Sequence, residues 1–258
     1  MIAAELRSAG HEVQSVPCDR ERIAALRDKR PILRLSDPMM FVATKLLAEC
    51  AAHYVGPSPR VMALCYDKHE ATRVVAQHGL MCPETALGSD ASRIVRPAVL
   101  KPRWGSDSIG LRLLRRRPVP RSKQTDRFVV QRQVRGTEVT VGVLHGRTGA
   151  PLQVCLREGV PYSFLRKYLL RPRRRQLSDA GLVRRVQDVA LRIATVLGVD
   201  WAARVDFIHE THSDTLYFLE CDVAPLLAVG SAFEMSLTCA GIGRREQIDL
   251  LFSSSASP

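Results

Sequence analysis

Two apolar stretches in the C-terminal half, Arg204-Val-Asp-Phe-Ile208 and Phe218-Leu-Glu-Cys-Asp222, carry carboxylates inside a core-forming pattern. That conflict constrains the fold more than any other feature of the chain. Residues 203–208 and 215–221 read as strands facing each other across His209-Glu-Thr-His-Ser-Asp214, a hairpin. Residues i and i+2 of a strand point to one face, so Glu220 and Asp222 point together, and pairing brings Asp206 beside them. Three neighbouring carboxylates repel unless a cation sits between them. Hard oxygen ligands around a triphosphate suit Mg2+, which usually takes one or two carboxylates plus phosphate oxygens and water. Taken alone, a solvated polar face on an edge strand accounts for the pattern equally well.

Two further segments carry chemistry. In Lys101-Pro-Arg-Trp-Gly-Ser-Asp-Ser-Ile-Gly110 a lysine ends the apolar strand 98–101 and a Gly/Ser loop follows. Backbone N–H groups and hydroxyls of such a loop cradle phosphate, although the sequence is no P-loop, because no Gly-Lys-Ser/Thr follows. A flexible surface loop is the plainer reading of that loop alone. In Phe128-Val-Val-Gln-Arg-Gln-Val-Arg-Gly-Thr-Glu138 an apolar strand runs into a short connector and a glutamate opens the next strand. Backbone groups there could hold a base and the carboxylate a ribose, but by itself the pattern is that of an ordinary hairpin.

The rest of the chain mixes helices and strands. Residues 1–10 read as part of an amphipathic helix ended by Gly10, and His11–Val16 alternate like a strand. A short strand at 31–35, a helix at 38–52 closed by Tyr54-Val55-Gly56-Pro57, and a helix at 67–78 with Gly79 past its end follow. Strands at 128–132 and 138–144 are joined by Arg135-Gly136, and His145-Gly146 makes a turn. Residues 157–178 read as a very basic loop, and 179–197 as a helix with Leu182, Val186, Val189, Ile193, Val196 and Leu197 on one face. Residues 253–258 read as a disordered tail. Such a mixture implies α+β lobes rather than one doubly wound sheet.

Composition narrows the setting. No run approaches the roughly 18–20 apolar residues that span a membrane, and the start lacks the layout of a signal peptide, so a cytoplasmic protein without membrane partners is expected. Seven scattered cysteines without C-x-x-C argue for reduced thiols packed as small hydrophobes. Six of the 38 basic residues are lysines, and the net charge is +12. A surface of that charge attracts anionic partners. With no nucleic-acid motif beside it, the excess is read as an arginine-favouring codon bias, and no nucleic-acid partner is expected.

In order along the chain, Gly56-Pro-Ser-Pro, Tyr66-Asp-Lys68, Gly79-Leu-Met-Cys-Pro83, Val99-Leu-Lys-Pro102, Gly105-Ser-Asp-Ser-Ile-Gly110, Gly136-Thr-Glu138, Arg204-Val-Asp206-Phe and Leu219-Glu-Cys-Asp222-Val-Ala-Pro225 resemble the ATP-grasp superfamily over about residues 55–245. The branch most similar is that of the D-alanine–D-alanine ligases. Lys167-Tyr168 resembles its lysine–tyrosine pair on the loop that closes over the nucleotide, and residues 219–242 resemble its C-terminal glutamate–asparagine–proline segment.

The resemblance implies an ATP-grasp fold of class α+β or α/β, with two α+β lobes gripping ATP after a partial α/β N-terminal lobe. The boundaries it implies are 1–66 for the N-terminal lobe, 67–130 for the central subdomain and 131–258 for the C-terminal subdomain with the metal and catalytic residues. Lys68 and Lys101 would hold the α- and β-phosphates, and Ser108 the loop phosphate contact. Gln131, Gln133 and Val134 would border the adenine, with Glu138 on the ribose. Asp206, Glu220 and Asp222 would bind two Mg2+, for which Mn2+ could substitute. Arg204 would face the tetrahedral intermediate, Lys167 and Tyr168 would belong to the closing loop, and Ser231 would meet the acceptor's carboxylate.

The implied reaction is ATP-dependent amide formation between small amino acids or peptides through an acyl phosphate; a homodimer is compatible with it. Departures from the branch stand at Asp222 for asparagine, Gln131 for glutamate and Leu226 for the glycine after the proline. The branch's first strand has no counterpart before Met1, and residues 1–55 match it poorly. These departures keep two rivals open: a ligase of another amino acid or peptide, of natural-product or glutamate-ligase type, and a catalytically impaired nucleotide- or nucleic-acid-binding relative.

Overall fold

The structure is a computed structural model and describes residues 2–8, 10, 12–14, 19–25, 32–33, 40–50, 54–105, 110–116, 118–155 and 173–252. Three helices, α1 (Ile2–Ser8), α2 (Arg20–Ala25) and α3 (Met40–Glu49), precede or surround a short parallel pair, β1 (Ile32–Leu33) with β2 (Tyr54–Val55). Residues 12–14 belong to no helix or strand, so the strand read at His11–Val16 is not found there. Tyr54-Val55, read from sequence as part of a closing segment, is instead a buried strand. α1 is tied to the far end of the chain, where the Arg244 guanidinium donates to Glu5 at 2.6 and 3.1 Å.

Two helices come next, one not foreseen in the sequence and one foreseen at 67–78. α4 (Pro59–Tyr66) escapes periodicity because it is two turns long, yet its start is well marked: Ser58 Oγ accepts from Val61 N, and Pro59 sits at the first helical position. α5 (Lys68–Gln77) begins at Asp67, whose carboxylate accepts from the backbone N–H groups of His69 and Glu70.

A four-stranded sheet follows, built from β3 (Thr85–Leu87), β4 (Ala98–Pro102), β5 (Arg112–Leu114) and β6 (Phe128–Arg132) in the order β3-β6-β4-β5. Every neighbouring pair is antiparallel. Its core holds Ala98, Leu100, Leu114 and Val130.

The larger sheet contains β7 (Thr137–Leu144), β8 (Arg147–Thr148), β9 (Leu152–Cys155), β10 (Arg173–Gln176), β11 (Ala202–Glu210) and β12 (Thr215–Asp222). Its order is β10-β9-β7-β11-β12, with β8 on β7. Strand alternation sorts β7 cleanly. Val139, Val141 and Val143 face a core shared with Val186, Ala190, Ile193 and Leu197 of α6 (Ala180–Leu197) and with Val61, Ala71 and Val75 of α4 and α5. α6 is capped by Asp179 and ends at Gly198, whose φ of +73° suits a residue without Cβ. On the opposite face, α7 (Ala232–Cys239) and α8 (Arg244–Phe252) bury Phe233, Leu237 and Leu251 against Leu144 and Trp201.

Two sequence expectations change. β6 and β7 form no hairpin, because they lie in different sheets and residues 133–136 cross from one to the other. Gly136 makes that crossing against the β11 backbone, where a Cβ would come 2.1 Å from the His209 carbonyl oxygen. Arg173–Gln176, read as loop, is the edge strand β10, paired antiparallel with β9. The antiparallel sheets and the helices packed on them confirm α+β lobes. α5, grouped from sequence with residues 67–130, packs in the core of the larger sheet. No helix among the described residues is long and apolar enough to cross a membrane.

Candidate functional site

The β11–β12 register puts Asp206 opposite Glu220 and Arg204 opposite Asp222. Residues directly opposed in an antiparallel pair share a face, so the three acidic side chains gather where the sequence placed them. They gather around Arg204. Its Nη1 lies 3.1 Å from Asp222, its Nη2 lies 3.0 Å from Asp206 and 3.8 Å from Glu220, and Nε donates to Asp206 at 3.0 Å. Burial works against the charge on Arg204, but Asp206, Asp222 and Glu220 outweigh it and hold its pKa well above the ordinary value. The Asp222 carboxyl is pushed up, by burial first, against the opposing pull of Arg204 and of the Ala224 N–H, which donates to it at 3.0 Å.

Thr140 supports this group from the next strand, its hydroxyl donating to Asp206 at 2.6 Å. Sequence reasoning missed it. Its signal lies in Val139-Thr-Val141, where alternation turns a buried threonine away from the apolar face.

Two lysines from other elements stand near this group, and one of them, Lys101, feels its charge. Lys101 ends β4, and burial pulls its ammonium down to about 8; the Glu220 charge opposes that fall and the Lys68 charge adds to it. The Lys101 ammonium, at the end of the small sheet, therefore feels both the Lys68 ammonium of α5 and the Glu220 carboxylate of the large sheet. Lys68 Nζ donates to the Gly105 carbonyl, and the Lys68 backbone N–H donates to Arg103 O at 3.0 Å.

The other expected residues scatter along the crossing between sheets. Gln131 is buried, with Nε2 donating to Thr85 Oγ1 at 3.0 Å, so its amide is engaged inside the small sheet. The Gln133 N–H donates to Pro97 O at 2.9 Å, Val134 is buried, and Glu138 lies near the start of β7 opposite Ile208. Ser231 is the N-cap of α7 and accepts from Glu234 N at 3.2 Å, while Glu234 accepts from Gly230 N at 2.8 Å. This is close to a capping box. Ser108, Lys167 and Tyr168 lie outside the described residues, as does most of 157–178. Of the basic run, Arg174 shares the face of Gln176, Leu152, Thr140 and Asp206, whereas Arg173 and Arg175 alternate to the other face. β10 is also four strands from β12, roughly 19 Å at the usual strand spacing. Arg173 and Arg175 therefore lie on the face away from Asp206.

The carboxylates supply an all-oxygen donor set, which is the chemistry Mg2+ takes. The Glu220 side chain makes no hydrogen bond among the described residues, only a 3.8 Å ion pair with Arg204, and is the most open of the three to a cation. Among the described residues no group of three or more His, Cys, Asp or Glu is drawn together as a metal shell by itself, because the guanidinium of Arg204 stands between them. The residues fit the ion as a partial shell that phosphate oxygens and water would complete.

The family model described as D-ala D-ala ligase C-terminus matches residues 85–253. The D-alanine–D-alanine ligase of Aquifex aeolicus (strain VF5) is 25% identical over 276 residues, covering 98% of this chain and 92% of that protein. That of Desulforudis audaxviator (strain MP104C) is 27% identical over 281 residues, covering 97% and 90%. Among solved structures, the D-alanine–D-alanine ligase from Bacillus anthracis complexed with ATP superposes with a TM-score of 0.72 at 16% identity, covering 91% of this chain and 82% of that one. The VanG D-Ala:D-Ser ligase from Enterococcus faecalis gives a TM-score of 0.69 at 22% identity, covering 81% of this chain and 66% of that one.

Proposed function

The chain belongs to the D-Ala–D-Ala ligase C-terminal family and has the ATP-grasp fold, and from that premise we propose that it joins a carboxylate to an amine at the expense of ATP, through an acyl phosphate. The observation that carries the reading is Lys101 at the end of the small sheet, close enough to Glu220 of the large sheet and to Lys68 of α5 to feel both charges. Direct amide formation from a carboxylate in water is uphill, so a phosphate is first attached as leaving group. Ammonium groups close to a carboxylate cluster suit that transfer, which depends on alignment and charge neutralisation.

Lys68 and Lys101 hold the α- and β-phosphates in this reading, and Glu138 the ribose beside Gln131, Gln133 and Val134. Asp206, Glu220 and Asp222 would hold Mg2+, or Mn2+ in its place. When bound, the ion offsets charge on the transferring phosphoryl group. Arg204, fixed among three carboxylates and always protonated, presents its guanidinium to the developing oxyanion. Ser231 opens α7, a helix N-terminus that suits the acceptor's carboxylate. Ser108, Lys167 and Tyr168 keep their proposed roles in the phosphate loop and closing segment. Two ions, a homodimer, a cytoplasmic location and the three-part division of the chain belong to the same proposal.

A donor or acceptor other than D-alanine is favoured by one observation. Leu226, 64% exposed, stands directly after Pro225, where the resemblance to the family places a glycine. ADP release with Mg2+ across a panel of D- and L-amino acids and dipeptides tests both readings. Release stimulated by pairs of amino acids supports a ligase and names its substrates; ATP binding with no stimulated release supports the impaired relative.

A further inference from the structure

Resting on the ligase reading, we propose that Asp67 and Arg103 form a clamp that sets Lys68 and Lys101 at a spacing matched to a nucleotide's phosphates, so that Arg103 is a positioning residue for nucleotide binding.

The two lysines belong to different hydrophobic cores. Lys68 opens α5, whose Ala71 and Val75 pack over the larger sheet, whereas Lys101 ends β4, whose Ala98 and Leu100 pack in the small sheet. Neither core by itself fixes one ammonium relative to the other. Contacts that join the two segments next to the lysines are made one residue before Lys68 and two residues after Lys101. Arg103 Nε donates to Asp67 at 2.9 and 2.8 Å, and Arg103 Nη2 lies 2.7 Å from the same carboxylate. The fork is backed by main chain: Asp67 and Trp104 form an antiparallel bridge, and Lys68 N–H donates to Arg103 O at 3.0 Å. On the other side Arg103 N–H donates to Arg127 O at 2.9 Å, which anchors it to the small sheet.

The pair is shielded enough to matter. The side chains of Arg103 and Asp67 are 17% and 10% exposed, unlike the surface pairs that contribute little. Burial pushes the Asp67 carboxyl up, but the Arg103 hydrogen bonds and the N–H groups of Glu70 and His69 outweigh it and leave its pKa below the ordinary value. Asp67 thus serves as helix cap and as ion-pair partner at once, so the start of α5 moves with the end of β4. Arg103 also lies over the exposed Trp104 ring, 4.7 Å from its centroid, and Lys68 Nζ reaches the next residue's carbonyl, Gly105 O. A bidentate fork gives this joint a direction that a point charge would not.

A purely structural ion pair would make a different prediction from a positioning one, and binding of ATP against adenosine, both with Mg2+, separates them. Four variants are compared with wild type by calorimetry and by competition: Arg103→Met, Arg103→Lys, Asp67→Asn, which keeps the cap through its amide oxygen, and Arg73→Met, which removes a neighbouring pair to Glu70 and a hydrogen bond to Gln77 while leaving the Asp67–Arg103 fork in place. Arg103→Met and Asp67→Asn should bind ATP about tenfold more weakly or worse, as misplaced phosphate contacts do. Adenosine affinity should be unchanged, Arg103→Lys should recover part of the loss, and Arg73→Met should match wild type. Wild-type ATP affinity in both Arg103→Met and Asp67→Asn, or adenosine weakening in step with ATP, would overturn the clamp alone. A wild-type protein that binds neither ligand would overturn the ligase reading, and the clamp with it.

Discussion

Replacing Lys101 by methionine should make the protein more stable and a poorer nucleotide binder at the same time. The side chain is partly buried at the end of β4, and burial brings its pKa from the ordinary 10.5 to about 8. Between those values the unfolded chain keeps a proton that the folded chain releases, so the wild-type protein gains stability as pH rises from about 8 to 10.5. Below pH 8 the cost of holding the charged form is present in full. A gap of about 2.5 pH units, at about 1.4 kcal/mol each, sets a ceiling of about 3.5 kcal/mol on that cost. Methionine has similar length and no charge, so Lys101→Met should be more stable at pH 7 by up to this amount and should lose the rise between pH 8 and 10. The same change removes a charged contact worth about 1.5–3 kcal/mol to a phosphate, which weakens ATP binding by about one to two orders of magnitude. Urea denaturation at pH 7 and 9.5 reads the first effect. Calorimetry in two buffers reads the second, because wild type should take up a proton on binding ATP near pH 9 and the variant should not. A variant no more stable than wild type at pH 7, with unchanged ATP affinity, would refute the reasoning.

Glu220→Gln should abolish stimulated ADP release while circular dichroism and the melting temperature stay close to wild type, because the Glu220 side chain makes only a 3.8 Å ion pair with Arg204 and no hydrogen bond among the described residues; retained turnover would remove it from the metal assignment. Ser231→Ala should cost about 1 kcal/mol through loss of the α7 cap and should raise the acceptor's KM without moving that for ATP. A parallel rise in both would leave Ser231 only its capping role. Duplex DNA should bind weakly, with a steep salt dependence and no sequence preference; nanomolar binding at 150 mM salt would favour the nucleic-acid rival.

Much of this site was legible because strand periodicity and charge conflict in the same few residues. Asp206, Glu220 and Asp222 in apolar strands, and Lys101 at the end of another, each demand a partner, and i, i+2 alternation says which face carries it. What stayed illegible was what joins one segment to another. The short connector 133–136 looks like a hairpin turn, and only tertiary structure shows that it passes between sheets and that Gly136 is needed against His209 O. Arg204 reads as a residue facing a reaction intermediate, whereas its engagement with all three carboxylates depends on the register between β11 and β12. β10 was hidden by arginine, which alternates with nothing apolar, so an edge strand looked like loop. α4 was hidden by length, although Ser58-Pro59 is a start signal that could have revealed it.

The most direct test of the proposed chemistry follows oxygen from the donor carboxylate. With whichever amino acid most stimulates ADP release, the donor is supplied with 18O in its carboxyl group, together with ATP, Mg2+ and the acceptor, and the inorganic phosphate is analysed by mass spectrometry. An acyl phosphate requires that one carboxylate oxygen leave with the phosphate, so the account predicts one 18O in the phosphate for each amide formed. Amide formation with unlabelled phosphate, or ADP release that no combination of carboxylate and amine stimulates, would contradict it.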